Sequence, residues 1–277
     1  MNDALFMFWL PGLLGLVTGS FLNVVIHRLP QMLLAQWDAE AHDAHGNTAE
    51  TETPAYNLAR PGSHCPHCLH ALNWHDNIPV LSYLMLKGQC RHCQAPIGWR
   101  YPGVELITSA LFVWIFMLHG FGIEAWVWSG FAAALVALAA IDADTTLLPD
   151  VITQPLIWAG LLASSLHLTG SALHTSLWGA VAGYLFLWSV DWLFKLVTSK
   201  EGMGQGDFKL LAALGAWLGW PALLSLVLIA SITGALLGLW LRLRKKLAKE
   251  DYIPFGPFLV LAGLWVMVFG PLPGFQI

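Results

Sequence analysis

The chain has 277 residues, of which 57% are apolar and only 11% charged, against roughly 45–50% and about 25% in an ordinary soluble domain. So few polar groups cannot cover a water-facing surface, which excludes a soluble enzyme and a disordered chain, and 13 basic against 17 acidic residues exclude a nucleic-acid binder. A membrane protein remains, and 15 Trp agree with it, because amphipathic indole rings collect at membrane interfaces.

A membrane-crossing helix needs about 20 mostly apolar residues. Taken in chain order, the candidate spans are 4–26, 103–119, 123–141, 151–168, 176–197, 208–220, 221–241 and 257–275. The first lacks a positive leading region and a following A-x-A site, so it reads as a retained helix rather than a cleaved signal peptide. Phe208–Trp220 is short, 13 residues before Pro221, so it needs a thinned bilayer or flanks drawn inward. The expected fold is an all-α polytopic membrane protein of about eight transmembrane helices. It divides into a first transmembrane helix (1–27), a small cytoplasmic domain (28–100) and a membrane-embedded domain (101–277).

The Lys and Arg residues fall at 28–100, 195–209 and 242–249, while 101–194 and 250–277 contain none. Connections near 27–102, 142–150, 198–207 and 242–256 therefore hold, or border, every cation. Positively charged loops stay in the cytoplasm, so these connections are assigned inside and both termini outside.

The segment 28–100 contains all four cysteines, as Cys65-Pro-His-Cys68 and Cys90-Arg-His-Cys93 separated by 21 residues. Two C-x2-C knuckles at this spacing fit a structural zinc ion held by Cys65, Cys68, Cys90 and Cys93. Disulfides are disfavoured in the reducing cytoplasm. His64, His67, His70, His75 and His92 crowd the same region and read as loop histidines, since four thiolates already close the coordination sphere. The stretch 38–57 is acidic and poor in apolar residues and reads as a flexible insert.

Ionisable groups near a bilayer are functional candidates. Six of the 17 acids need an account: Glu105, Asp142, Asp144, Asp150, Asp191 and Asp207. Asp142 ends the apolar run Phe131–Ile141, and Asp207 follows the glycine-rich Gly202-Met-Gly-Gln-Gly206. Both are placed at cytoplasmic ends of spans. Two adjacent carboxyls share a proton, so one can activate water while the other donates to a carbonyl, as in aspartic peptide hydrolysis. The bland readings are an N-cap for Asp207, turn or cap residues for Asp144 and Asp150, and an i, i+4 ion pair of Asp191 with Lys195.

Five motifs, in order, resemble the type IV prepilin peptidases, bifunctional membrane enzymes of bacterial pilus and type II secretion systems. They are Gly19-Ser-Phe-Leu-Asn-Val-Val-Ile-His-Arg-Leu-Pro30, the paired cysteine knuckles, Ile141-Asp142 to Pro149-Asp150, Gly204-Gln-Gly206-Asp207-Phe-Lys209, and Ile253-Pro-Phe-Gly-Pro-Phe258. The resemblance covers nearly the whole chain. It implies cleavage of prepilin and pseudopilin leaders after a glycine at the cytoplasmic face of the bacterial inner membrane. It also implies N-methylation of the new amino terminus with S-adenosylmethionine. It places the catalytic pair at Asp142 and Asp207, with Asp144 as the competitor of Asp142, and makes Gly204, Gly206 and Lys209 supporting residues. No residue set for the methyl donor can be read, since no G-x-G-x-x-G opens a helix. Gly88, at a family position associated with methylation, and Glu105 are the candidates. Gly88 reads equally as a knuckle-turn glycine, and Glu105 as a partner of Arg100 or of the substrate amine.

Two rivals belong to other classes. A proton-coupled transporter would place its acids near mid-span, and a zinc-dependent assembly factor would leave the two aspartates incidental. The substrates and the membrane lipid are the implied partners; the sequence is silent on which pilins are served and on oligomeric state.

Overall fold

A computed structural model describes residues 2–44, 56–200, 202–244 and 253–273. The chain forms two compact units, Met1–Ala125 and Trp126–Ile277. Every regular element among the described residues is helical; the only pairing of extended backbone there is two isolated bridges, His64 with Ala71 and Gln89 with Pro96.

The first unit contains α1 (Asn2–Ala44), a short 3-10 turn (Trp74–Asn77), α2 (Leu81–Met85) and α3 (Arg100–His119). Helices α1 and α3 pack with their backbones in contact. A methyl group on Gly15 would lie 2.5 Å from the Ser109 Cα, and one on Gly19 2.6 Å from the Glu105 Cα. Small residues at such positions let apolar helices approach closely enough for dispersion to hold them in lipid. The Ser109 hydroxyl also donates to the Gly12 carbonyl at 2.9 Å.

Helix α1 runs past the expected span, through Pro30, to Ala44. Part of the expected flexible insert is thus helical, and residues 45–55 lie outside the described residues. The reason is local: Gln31–Ala41 is rich in Ala, Leu, Met, Gln and Glu, all strong helix formers, and Gln36 donates to Glu40 one turn on at 3.0 Å. The buried Arg28 guanidinium ties this extension to the segment after it, donating to the carbonyls of Asn57 at 3.0 Å and Leu58 at 3.3 Å.

The second unit takes in most of α4 (Ile123–Thr145), then α5 (Asp150–Ser165), α6 (Leu173–Thr198), α7 (Gln205–Leu218), α8 (Ala222–Leu243) and α9 (Gly256–Phe269). Its centre is α7, whose residues from Asp207 to Trp217 are all buried apart from the half-buried Lys209. It packs on α5, α6, α8 and α9. Contact with α6 is through backbone: a methyl on Gly179 would strike the Gly215 carbonyl, and one on Gly183 would lie 2.7 Å from that of Leu211. Trp217 anchors the far end. Its ring stacks on Phe131 of α4 at 4.4 Å, and its Nε1–H donates to the Leu156 carbonyl of α5 at 2.8 Å. A buried indole needs such an acceptor.

Among the described residues, five helices are long and apolar enough to cross a membrane, within α1, α3, α4, α6 and α8. The shorter α5, α7 and α9 stand at the other three expected positions. The 14 residues of α7 make about 21 Å of helix. Protein, not lipid, surrounds most of it, so the short length carries little of the mismatch expected of an isolated span. By contrast α6 turns Leu177, Trp178, Leu185, Phe186, Trp192 and Leu193 outward, an apolar face suited to lipid.

Candidate active site

Two of the six singled-out carboxylates are buried in the second unit. Asp142 and Asp207 are each 4% exposed, whereas Asp144, two residues on along α4, is exposed. A helix turns about 100° per residue, so only one of the two α4 aspartates can face inward, and it is Asp142. Its Oδ2 accepts the Gly256 N–H at 2.9 Å, at the start of α9. Asp207 lies in the first turn of α7, near enough for the charge of Asp142 to act on it. Its Oδ1 is buried and finds no hydrogen-bond partner among the described residues. A buried carboxylate oxygen without a partner is costly, so packing alone does not account for it. Asp207 is not the N-cap; Gly204 holds that place.

The glycines around the pair act by absence of bulk. A methyl on Gly256 would lie 2.5 Å from Asp142 Oδ2, and one on Gly206 2.6 Å from the Leu148 Cβ. Leu148 also approaches Gly256, so one side chain in the α4–α5 loop packs over the starts of both α7 and α9. Gly204 differs from expectation: its φ is −72°, and an added methyl would meet only Asp207 Oδ2, at 3.8 Å. Neither a left-handed backbone nor a crowded contact requires glycine there.

Two further acids have partners that spacing did not disclose. Lys209 Nζ lies 2.6 Å and 2.7 Å from the two carboxylate oxygens of Asp150, 59 residues away, so Asp150 is more than a turn residue. Asp191 accepts the N–H groups of Gly202 and Met203 at 3.0 and 3.1 Å. It thereby pins the glycine-rich loop that leads to Asp207, a role beyond an ion pair along its own helix.

In the first unit, Cys65, Cys68, Cys90 and Cys93 bring four Sγ atoms within 4.8 Å of one another. The Cys65 and Cys93 sulfurs are 3.8 Å apart. That is no disulfide, and it matches the edge of a tetrahedron with metal–sulfur bonds of about 2.3 Å. The two knuckles repeat one another: Cys65 N bonds His70 O and Cys90 N bonds Ala95 O, while Leu69 and Gln94 take φ of 57° and 56° at equivalent places. The N–H groups of Cys93 and His92 draw the Cys90 thiol down to about 6, while burial and the other three thiols push Cys93 up; crowded thiols resist ionising together unless a cation joins them. His67, His70, His75 and His92 are exposed.

Gly88 has φ of 69° and lies against Tyr83, so its conformation is that of the turn entering the second knuckle. Glu105 is buried; its Oε2 accepts the Val80 N–H at 2.7 Å, and Ser20 also bonds it. Val80 has φ of 58°, which is strained for a β-branched residue. Glu105, Val80, Tyr83, Tyr101, Arg28 and His27 line a cavity of about 840 Å³ contained within this unit.

Comparison with known proteins follows the same division. Residues 13–119 match the bacterial peptidase A24 N-terminal domain, and residues 129–239 match the type IV leader peptidase family. The first range includes the four cysteines, and the second both Asp142 and Asp207. Among curated proteins, the chain is 52% identical over 259 residues to a prepilin leader peptidase/N-methyltransferase of Burkholderia pseudomallei, covering 93% of this chain and 84% of that protein. It is 51% identical to the protein so named in Pseudomonas aeruginosa, covering 93% and 89%. For that of Dickeya chrysanthemi the figures are 47%, 95% and 93%. No solved structure matches the chain significantly, and nothing in these comparisons points to a transporter. On this likeness, which spans both of its units, the chain belongs to the type IV leader peptidase family.

Proposed function

We propose that this protein removes the leader peptide from type IV prepilins and type II secretion pseudopilins and then N-methylates the exposed amino terminus. The observation that carries the first activity is the buried pair Asp142 and Asp207, one held by Gly256 N–H and the other with an unbonded buried oxygen. The two carboxyls share one proton. The ionised member takes a proton from water, and the protonated member donates to the carbonyl oxygen of the scissile peptide. The roles reverse as the tetrahedral intermediate collapses and the leaving amine gains its proton.

With every Lys and Arg on one set of connections, the pair is assigned to the cytoplasmic face of the inner membrane. A substrate with an apolar stem in the bilayer and a charged leader in the cytoplasm meets the dyad at the boundary, without being extracted.

S-adenosylmethionine is the methyl donor in this reading; when bound it supplies an electrophilic methyl group. The cavity of the first unit, about 840 Å³, falls within the range of pockets that hold small molecules, roughly 300–1,000 Å³. Its residues suit the donor. The Glu105 carboxylate keeps acceptor capacity beyond Val80 and Ser20 for an ammonium or hydroxyl group, and the aromatic Tyr83 and Tyr101 line the same cavity. Zinc on Cys65, Cys68, Cys90 and Cys93 is structural, since four thiolates leave no open position, and it substitutes for a hydrophobic core.

Purified protein incubated with a prepilin and labelled S-adenosylmethionine tests the reading. Leader loss by mass and methyl incorporation are read separately, and equilibrium binding of S-adenosylhomocysteine to wild type and Glu105→Gln tests the donor cavity. Cleavage and methylation are both expected; intact prepilin after prolonged incubation would overturn the assignment.

A further inference from the structure

We infer that the Asp150–Lys209 ion pair is a clamp that positions the catalytic aspartates, making Asp150 a positioning residue for peptide cleavage. The inference rests on the aspartic-dyad reading above. Two observations carry it.

The first is geometry. Both oxygens of Asp150 engage one ammonium, at 2.6 and 2.7 Å. Asp150 opens α5, directly after the loop that follows Asp142. Lys209 lies two residues beyond Asp207, in the second turn of α7. The pair therefore ties the chain that leaves one aspartate to the helix that carries the other.

The second is the packing beside it. Gly206 and Lys209 are three residues apart and share a face of α7. Leu148 packs on Gly206, and Asp150 bonds Lys209. The segment 148–150 is thus braced at two points along one face of α7, one apolar and one ionic, and Thr146 N bonds the Asp142 carbonyl at 2.8 Å. A shift of this segment along α7 would be passed directly to Asp142.

Asp150 is 54% exposed and Lys209 22% by side chain. Pairs so exposed add little to stability. Stability and catalysis should therefore separate. The experiment uses the full-length protein in detergent with a prepilin substrate, comparing wild type, Asp142→Asn, Asp150→Asn, Asp150→Glu, Asp150→Lys and the charge swap Asp150→Lys/Lys209→Asp.

Asp150→Asn is expected to lower kcat on the order of tenfold to hundredfold, with KM and Tm near wild type. Asp150→Glu should recover part of kcat, and the swap should cleave faster than Asp150→Lys alone. Wild-type kcat in Asp150→Asn would overturn the clamp. So would a loss of kcat that tracks a fall in Tm and is not recovered by Asp150→Glu. Wild type that cannot cleave, or Asp142→Asn that can, would instead overturn the dyad reading, so the two failures are distinguishable.

Discussion

Asp142 and Asp144 are separated by one residue in sequence and by the whole thickness of a helix in space. The first is buried against Gly256 N–H and the second is exposed. Asp142→Asn and Asp207→Asn should each abolish leader cleavage, assayed by the mass of the pilin product, while Asp144→Asn retains it. Full cleavage by either buried variant would dissolve the dyad. The glycines make a sharper test, because the same substitution has opposite expected outcomes. Gly256→Ala puts a methyl 2.5 Å from Asp142 Oδ2, and Gly204→Ala puts one only 3.8 Å from Asp207. The first should lose cleavage by at least about tenfold through displacement of the carboxylate. The second should cost no more than about 1 kcal/mol at the helix start and keep most activity. The motif treats Gly204 and Gly206 alike, and only the neighbours of each separate them.

At the level of elements, α7 is the piece around which the second unit is organised. It is short, nearly all buried, and in backbone contact with α6 through Gly179, Gly183 and Gly215. Gly179→Val should force α6 and α7 apart and destabilise the protein by about 1–3 kcal/mol or more, as overpacking does; thermal unfolding in detergent measures it. The same displacement should impair cleavage, since Asp207 moves with α7. The apolar runs marked α3 to α9 in order, though not their ends, which differ by up to six residues at α9 (Gly256–Phe269 against 257–275). The extension of α1 was not legible, because its polar composition masks helix-forming residues that are held by docking of Arg28 on Asn57 and Leu58.

Across the molecule the chemistry divides by unit: four cysteines in Met1–Ala125 and two buried aspartates in Trp126–Ile277. Zinc removal should therefore be felt first by the first unit. Cys65→Ser is expected to lower bound zinc, measured by elemental analysis, and to raise hydrogen exchange across residues 56–98, because four-ligand zinc contributes folding free energy directly. A protein without zinc but with a Cys–Cys bridge would overturn both the metal and the cytoplasmic placement. Sidedness has its own check: reporters inserted in the 169–172 connection should read as external and those near 199–203 as cytoplasmic.

The sequence by itself determined the class. Eleven per cent charge excluded a soluble protein, the cysteine spacing marked a four-cysteine cluster able to hold a metal, and ordered motifs singled out Asp142 and Asp207. These are properties of composition and local spacing, which a linear reading preserves. Tertiary structure alone decided the pairings across 11 to 114 residues: Asp142 with Gly256, Asp150 with Lys209, Asp191 with the Gly202 loop, Glu105 with Val80. No periodicity encodes such contacts, because each depends on which helix faces are brought together. Burial at those faces then separates Asp142 and Asp207 from the exposed Asp144.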